Sequence, residues 1–409
     1  MRQTDGRHLD SPLRGTQAVS VFTNFTAKAG LPVFKQALKS CALSLVIFLL
    51  LLEGAAYLYI LFVNPNIPLP TYRIINASNR FWCDLDEHFG VWHQPGATYL
   101  HNKACFTAFY TANAHGMRDK ERDKRSSAPR AVILGDSFIE GWGIPDGARL
   151  SDILEERLQA EVLNFGTSGG FGTIQEWLQY KYLVKQFDHD VVILGILPHN
   201  DFKDNSLEID EALNYKYYKP YLVGTYPDYR LYYRFDRLPQ QDTVHSVMRS
   251  IDFTIREWSA CYRVIRYLSS FKIRDMQLVP RWESEYGSDP KQLSTYYTFS
   301  EKDWNIMKYS IEQLVSEAGR RKVLIFSIPV YSDLLRYDGT EPPLSANLRR
   351  LAEQHGFIYV DLLAELSRKG LTAHDLFFVC DNHWNAYANR VAADILLPYV
   401  QRCLTPNQQ

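Results

Sequence analysis

The chain has almost no net charge, −1 from 45 basic and 46 acidic residues, so it lacks the global field that draws a protein onto nucleic acid. Its six cysteines (Cys41, Cys83, Cys105, Cys261, Cys380, Cys403) form no C-x-x-C pair. Its eleven histidines make no H-x-x-x-H or H-E-x-x-H spacing. No zinc site is signalled, and no metal or cofactor is expected. Internal repeats and low-complexity tracts are lacking too, which removes solenoids and compositional arrays from consideration. Disorder is also a poor description, because 46% of residues are apolar and 22% charged, near the values of a chain that buries a sizeable core. At 409 residues the expectation is one large core with extra segments. Cys83 and Cys105 are candidates for a bridge if the globular part lies in an oxidising compartment, with buried thiols as the alternative.

Long apolar runs are scarce as well, with one exception. Residues 41–63 read CALSLVIFLLLLEGAAYLYILFV, 23 residues interrupted by one charge, Glu53, which is long enough to cross a hydrocarbon core of about 30 Å as a helix. Fourteen Leu, Ile, Val and Phe residues contribute about −4 to −8 kcal/mol to insertion, against about +3 for a central acid. Insertion wins. Before the run stand Arg2, Arg7, Arg14, Lys28, Lys35 and Lys39; the near flank after it has only Arg73 and Arg80. This asymmetry places the N-terminus, a tail of residues 1–40, in the cytoplasm. A cleaved signal peptide is the competitor, but its apolar region would be shorter and nearer Met1. The prolines of 64–70 end the helix, and the rest of the chain is expected to be extracytoplasmic, with 64–130 as a linker and approach segment.

From residue 131 to 402 short β-branched runs alternate with helical periodicity. The runs 131–135, 161–165, 190–197, 322–330 and 357–363 read as buried strands. Between them, 149–160, 173–186, 302–319, 344–355 and 385–402 read as helices. The pattern predicts an α/β fold of three layers, with a mostly parallel five-stranded sheet covered on both faces. Ligands of such sheets bind outside the carboxyl ends of the strands. Residues from about 201 to 300 break the rhythm and are dense in aromatics (Tyr215, Tyr217, Tyr218, Tyr221, Tyr226, Tyr229, Tyr232, Tyr233, Phe235). That interval reads as a partly helical insertion or lid, with its aromatics packing on their own protein rather than stacking sugars.

Four segments carry chemistry. AVILGDSFIEGWG ends a strand in Gly135-Asp136-Ser137, presenting a serine hydroxyl at the sheet edge near free backbone N–H groups. The glycine-rich loop 164–172 follows the next strand and can aim a donor at a developing oxyanion; alone, it reads equally as a tight turn. After the third strand, Asn200 can offer its side-chain amide to the same oxyanion. Near the C-terminus, Asp381-Asn382-His383-Trp384-Asn385 supplies an imidazole to deprotonate serine and a carboxylate to orient the ring.

Together these four blocks resemble the SGNH (GDSL-type) hydrolase superfamily, over residues 117–402 and in the family's order. The resemblance implies Ser137 as nucleophile, the Ser137 N–H, Gly169 and Asn200 as oxyanion donors, and His383 as base. The segment HGMRDKE (115–121) looks like the approach segment of extracytoplasmic members. Many members carry Asp three residues before the histidine, where this chain has Cys380. The D-x-H-W-N form resembles the branch containing alginate O-acetyltransferase-type proteins, which makes Asp381 the orienting acid and Asp375 the fallback. The expectation is therefore a membrane-anchored serine esterase or O-acyltransferase, acting on acyl esters of a glycan or lipid and not on nucleic acid. The alternative is a non-catalytic scaffold or glycan-binding module that keeps the fold.

Overall fold

The computed structural model describes residues 19–212, 218–237, 243–269 and 294–405. The chain divides into two compact units, Met1–Ala56 and Tyr57–Gln409. The first consists, as described, of most of a long helix, Val19–Phe62. That helix begins well before the expected Cys41; Lys35, Gln36, Ala37, Leu38 and Lys39, just ahead of the apolar run, are good helix formers. Within it, Phe34–Phe62 is long and apolar enough to cross a membrane by length and composition. The helix stops at Phe62, ahead of Pro65, Pro68 and Pro70.

In the second unit eleven strands are described. They are β1 (Asp84–Asp86), β2 (Gly90–Trp92), β3 (Thr98–Lys103), β4 (Phe106–Thr111), β5 (Arg130–Gly135), β6 (Glu161–Asn164), β7 (Val191–Ile196), β8 (Pro220–Thr225), β9 (Asp228–Tyr233), β10 (Lys322–Ser327) and β11 (Ile358–Asp361). Five of them form one parallel sheet in the order β11-β10-β7-β5-β6, the five expected from the β-branched runs.

Alternation along these strands makes the layers. Val132 and Leu134 of β5, Val192 and Leu194 of β7, and Val323 and Ile325 of β10 enter one apolar cluster, with Trp177, Leu178, Ile306 and Ile311 of the helices Thr173–Tyr182 and Glu301–Ala318. Their neighbours Ala131, Ile133, Val191, Ile193, Leu324 and Phe326 enter a second cluster, with Leu150, Leu154, Ala392 and Leu396 of Leu150–Leu158 and Ala386–Leu404. Successive side chains of a strand point to opposite faces, so an all-apolar strand requires cover on both. Burial of each Val, Leu or Ile contributes about 1.5–3 kcal/mol.

Two intervals differ from expectation. Residues 64–130 are not a plain linker: β1 pairs with β2 and β3 with β4, both antiparallel, and Phe81, Ala108, Tyr110 and Ala112 form a small core of their own. The insertion is not strand-free either, since β8 and β9 form a hairpin around Tyr226-Pro227. Its alternation is hidden in the sequence because tyrosine serves on both faces: Tyr229 lies with Leu222 and Leu231 on one, and Tyr221 and Tyr232, paired across the hairpin, lie on the other. The tyrosines mostly pack inward, as with Tyr229 on Tyr309 and the Tyr226 hydroxyl on Glu312. Tyr215 and Tyr217 lie outside the described residues.

Candidate active site

β5 is fully buried and ends at Gly135, whose φ of +155° and close approach to Gly195 O, 2.9 Å from where a Cβ would stand, admit only glycine. Asp136 then caps a one-turn helix, Ser137–Glu140, by accepting from Phe138 N at 3.0 Å. Ser137 is the first helical residue, where the N–H has no helical acceptor. The turn is closed by Gly141 and by buried Arg118, which donates to the carbonyls of Glu140, Gly141 and Ile144 with its guanidinium over the Tyr110 ring. The approach segment HGMRDKE thus supports the turn that presents the serine.

The loop carrying His383 is drawn tight by a bridge between Phe377 and Trp384 and by Phe378 N donating to His383 O at 3.0 Å. Asn385 ends it, capping the helix Ala386–Leu404 through Ala388 N. Asn389 of that helix accepts from Leu150 N at 3.0 Å, tying the loop to the body of the domain. His383 Nε2 stands 2.9 Å from Ser137 Oγ, and Nδ1 2.5 Å from Asp381 Oδ1. A carboxylate only accepts, so Nδ1 carries the proton and the Nε2 lone pair faces the serine hydroxyl.

Asp381 has two further donors, Lys103 Nζ at 2.5 Å and Trp142 Nε1 at 3.2 Å, both on Oδ2. Burial alone would raise its carboxyl, but the His383 hydrogen bond and charge, with Lys103, outweigh burial and hold it well below the usual carboxylate range. Trp142 also stacks on the His383 ring, centroids 5.2 Å apart, and Phe138 lies 4.9 Å away. Three partners therefore set the carboxylate, and two aromatic rings set the imidazole. Asp375 is not in this group: it is spent on capping Ala373–Leu376, accepting from Thr372 N at 2.8 Å.

The candidate bridge between Cys83 and Cys105 is not formed. Cys105 is instead bonded to Cys380, 275 residues away, while Cys83 is a free, exposed thiol. The bridge joins the turn between β3 and β4 to the residue before Asp381, and β3 ends in Lys103. Neither lysine nor disulfide was visible as a site element in the sequence, because nothing local marks a partner hundreds of residues away.

The two expected oxyanion side groups reach the same sheet edge. Asn200 opens on it from the helix Pro198–Asp204 and donates Nδ2 to Asp136 Oδ2 at 3.3 Å. Thr167 N donates to Gly135 O at 3.2 Å, bringing the glycine loop alongside the serine turn. Gly169, at φ +114°, lies on that loop, and no hydrogen bond joins it to Ser137 among the described residues. Glu140 fastens the loop: buried, it accepts from Ser168 N at 2.8 Å and Trp82 Nε1 at 3.1 Å and stands 3.4 Å from His93 Nε2. Burial opposes its ionisation, but His93, Arg118 and Ser168 prevail and lower its pKa. Among the described residues no cluster of three or more His, Cys, Asp or Glu is placed to hold a metal.

No protein-family model and no curated protein matches the chain. Among solved structures, similar ones include a G-D-S-L-family lipolytic protein from Veillonella parvula, at 13% identity over 67% of this chain and 100% of that one, TM-score 0.35. A lipase/acylhydrolase from Enterococcus faecalis matches at 13% identity over 69% of this chain and 100% of its own, TM-score 0.35. A carbohydrate esterase family 2 enzyme with a carbohydrate-binding domain, from Corynascus thermopiles, matches at 12% over 69% of each chain, TM-score 0.35. The resemblance to the SGNH superfamily rests on the chain's own four blocks, and the finer likeness to alginate O-acetyltransferase-type proteins on the D-x-H-W-N residues alone.

Proposed function

We propose that this chain is a membrane-anchored serine esterase or O-acyltransferase that acts on ester-linked acyl groups, foremost acetyl, of an extracytoplasmic glycan or lipid. The observation that carries the reading is the unbroken run Asp381–His383–Ser137, with contacts of 2.5 and 2.9 Å. His383 takes the Ser137 proton as Oγ attacks the ester carbonyl, and Asp381 stabilises the imidazolium that forms. The Ser137 N–H, Gly169 and Asn200 serve the oxyanion, and His383 returns the proton to the departing alkoxide. The acyl-serine is then resolved by water, giving an esterase, or by a sugar hydroxyl, giving a transferase.

The apolar helix Phe34–Phe62 supports the anchor, and the Lys and Arg bias supports a cytoplasmic N-terminus. The Cys105–Cys380 disulfide supports the compartment independently, since such bonds persist in oxidising surroundings. The test is Ser137→Ala assayed on short acyl esters, with fluorophosphonate labelling of the intact protein. Activity is expected to fall by about a thousandfold or more, with labelling lost. Unchanged turnover would remove the serine from the mechanism, and an intact protein that never labels would favour a non-catalytic scaffold.

A further inference from the structure

An amphipathic helix normally buries its apolar stripe. The helix Thr243–Trp258 does the reverse. Val247, Met248, Ile251, Ile255 and Trp258 are 41–60% exposed, and the spacing 247, 251, 255, 258 puts them on one face. Exposed Ile265 and Leu268 follow in the helical stretch 260–269.

The opposite side is held by a polar joint. Glu257 is buried and accepts from Thr71 Oγ1, from Asn76 Nδ2 at 3.4 Å and from Arg263 Nη2 at 2.9 Å. Its carbonyl accepts from Tyr72 N at 2.8 Å, and the Tyr72 and Trp258 rings meet edge to face at 6.4 Å. The acids on this face are committed within the protein: Asp252 pairs with Arg256 and Arg266. The exposed cations Arg73, Arg80 and Arg249 stand on the same helix and its docking segment.

The position of the joint in the chain names the occupant. Thr71 follows Phe62, the end of the apolar helix, by nine residues, a reach of about 30 Å at most. Tyr and Trp favour the headgroup level of a bilayer, and cations favour its phosphates. A helix with an outward apolar stripe, a Tyr–Trp pair and flanking arginines fits the plane of that interface, its stripe sunk about 5–10 Å. We propose that the stripe of Thr243–Trp258 lies in the lipid interface that the chain's own anchor enters, giving the catalytic unit a second contact with the bilayer. This rests on the anchor proposed above and deepens it by fixing which face of the catalytic unit meets lipid.

The test uses the full chain in vesicles of equimolar phosphatidylcholine and phosphatidylglycerol, with the four cysteines outside the disulfide replaced by serine and the disulfide kept. A nitroxide is placed in turn at Ile251→Cys, Ile255→Cys, Leu50→Cys within the anchor, and exposed Glu353→Cys as aqueous reference. Relaxation by oxygen is compared with relaxation by a water-soluble nickel chelate. The oxygen-to-nickel ratio at 251 and 255 is expected to exceed that at 353 several-fold. A water-like ratio at 251 and 255 with a lipid-like one at 50 overturns this proposal and leaves the anchor standing. Shielding of 251 and 255 from both reagents overturns it in favour of a protein partner, a second copy included. A water-like ratio at Leu50 overturns the anchor itself.

Discussion

Lys103 places a cation on the carboxylate that the imidazolium of His383 also needs. The two compete for Asp381, Lys103 at 2.5 Å on Oδ2 and His383 at 2.5 Å on Oδ1. A lysine in that place fixes the carboxylate but weakens its support of the protonated ring. Lys103→Met keeps the aliphatic stem and removes the charge. The acid limb of kcat/KM is then expected to move to higher pH by about half to one unit, with a loss in plateau kcat below about tenfold. The other titratable groups coupled to the ring are His101, pushed down to about 3 by burial and then Lys103, and Asp136, pushed up to about 6 by burial. Asp136 is untouched by the change, and His101, released in part with Lys103, stays mainly under burial, so the difference between the two profiles reads Lys103. A superimposable acid limb, with kcat alone reduced, would leave the lysine a purely mechanical part. The serine, histidine and aspartate were legible in the sequence because their chemistry sits in short blocks beside strand ends. Lys103 and Trp142 were not, since a lysine ending a hairpin strand and a tryptophan in a turn acquire meaning only through the fold.

At the scale of elements, the hairpin of β3 and β4 joins the N-terminal part of the larger unit to the C-terminal loop that carries Asp381 and His383. It delivers Lys103, it packs Phe106 on Phe378 with centroids 4.6 Å apart, and its turn is bonded to Cys380. Closing a loop of that length removes chain entropy from the unfolded state, about 2–5 kcal/mol in practice. A Cys105→Ser, Cys380→Ser double variant is expected to lose stability of that order. It should also lose activity well before it unfolds, because the residue after Cys380 is Asp381. The comparison is of melting temperature and ester turnover with and without reductant in the parent protein. Turnover insensitive to reduction at temperatures where the fold persists would dissociate the bridge from the site. The sheet strands were readable from their runs of Val, Ile and Leu, which need cover on both faces. This hairpin and β8–β9 were not: they set Tyr, Phe and Thr, good strand formers, among His, Asn, Asp and Arg, without the unbroken aliphatic run that marked the sheet strands. Cysteine pairing was unreadable for a different reason, since spacing along the chain does not constrain distance across the fold.

For the molecule as a whole, the most consequential feature is acidity buried behind the serine turn. Glu176 of Thr173–Tyr182 and Asp201 of Pro198–Asp204 are fully buried, and burial raises both well above the ordinary carboxyl range, helped at Glu176 by the charge of Asp136 and at Asp201 by those of Glu176, Asp136 and Asp204. Neither oxygen of Glu176, and one of Asp201, has a hydrogen-bond partner among the described residues. In the unfolded chain Glu176 ionises near about 4.3; folded, it keeps its proton to higher pH. The folded state then binds the extra proton, so its contribution to stability is whole below the unfolded value and drains away as pH rises toward the raised folded one, at about 1.4 kcal/mol per pH unit. Glu176→Gln removes the ionisation while keeping the shape. Melting of the detergent-solubilised protein from about pH 4 upward is expected to show the parent declining more steeply than the variant, the two curves diverging as pH rises above the unfolded value. Parallel curves would mean that Glu176 is already ionised in the fold, and that the groups around it solvate the charge better than their burial implies.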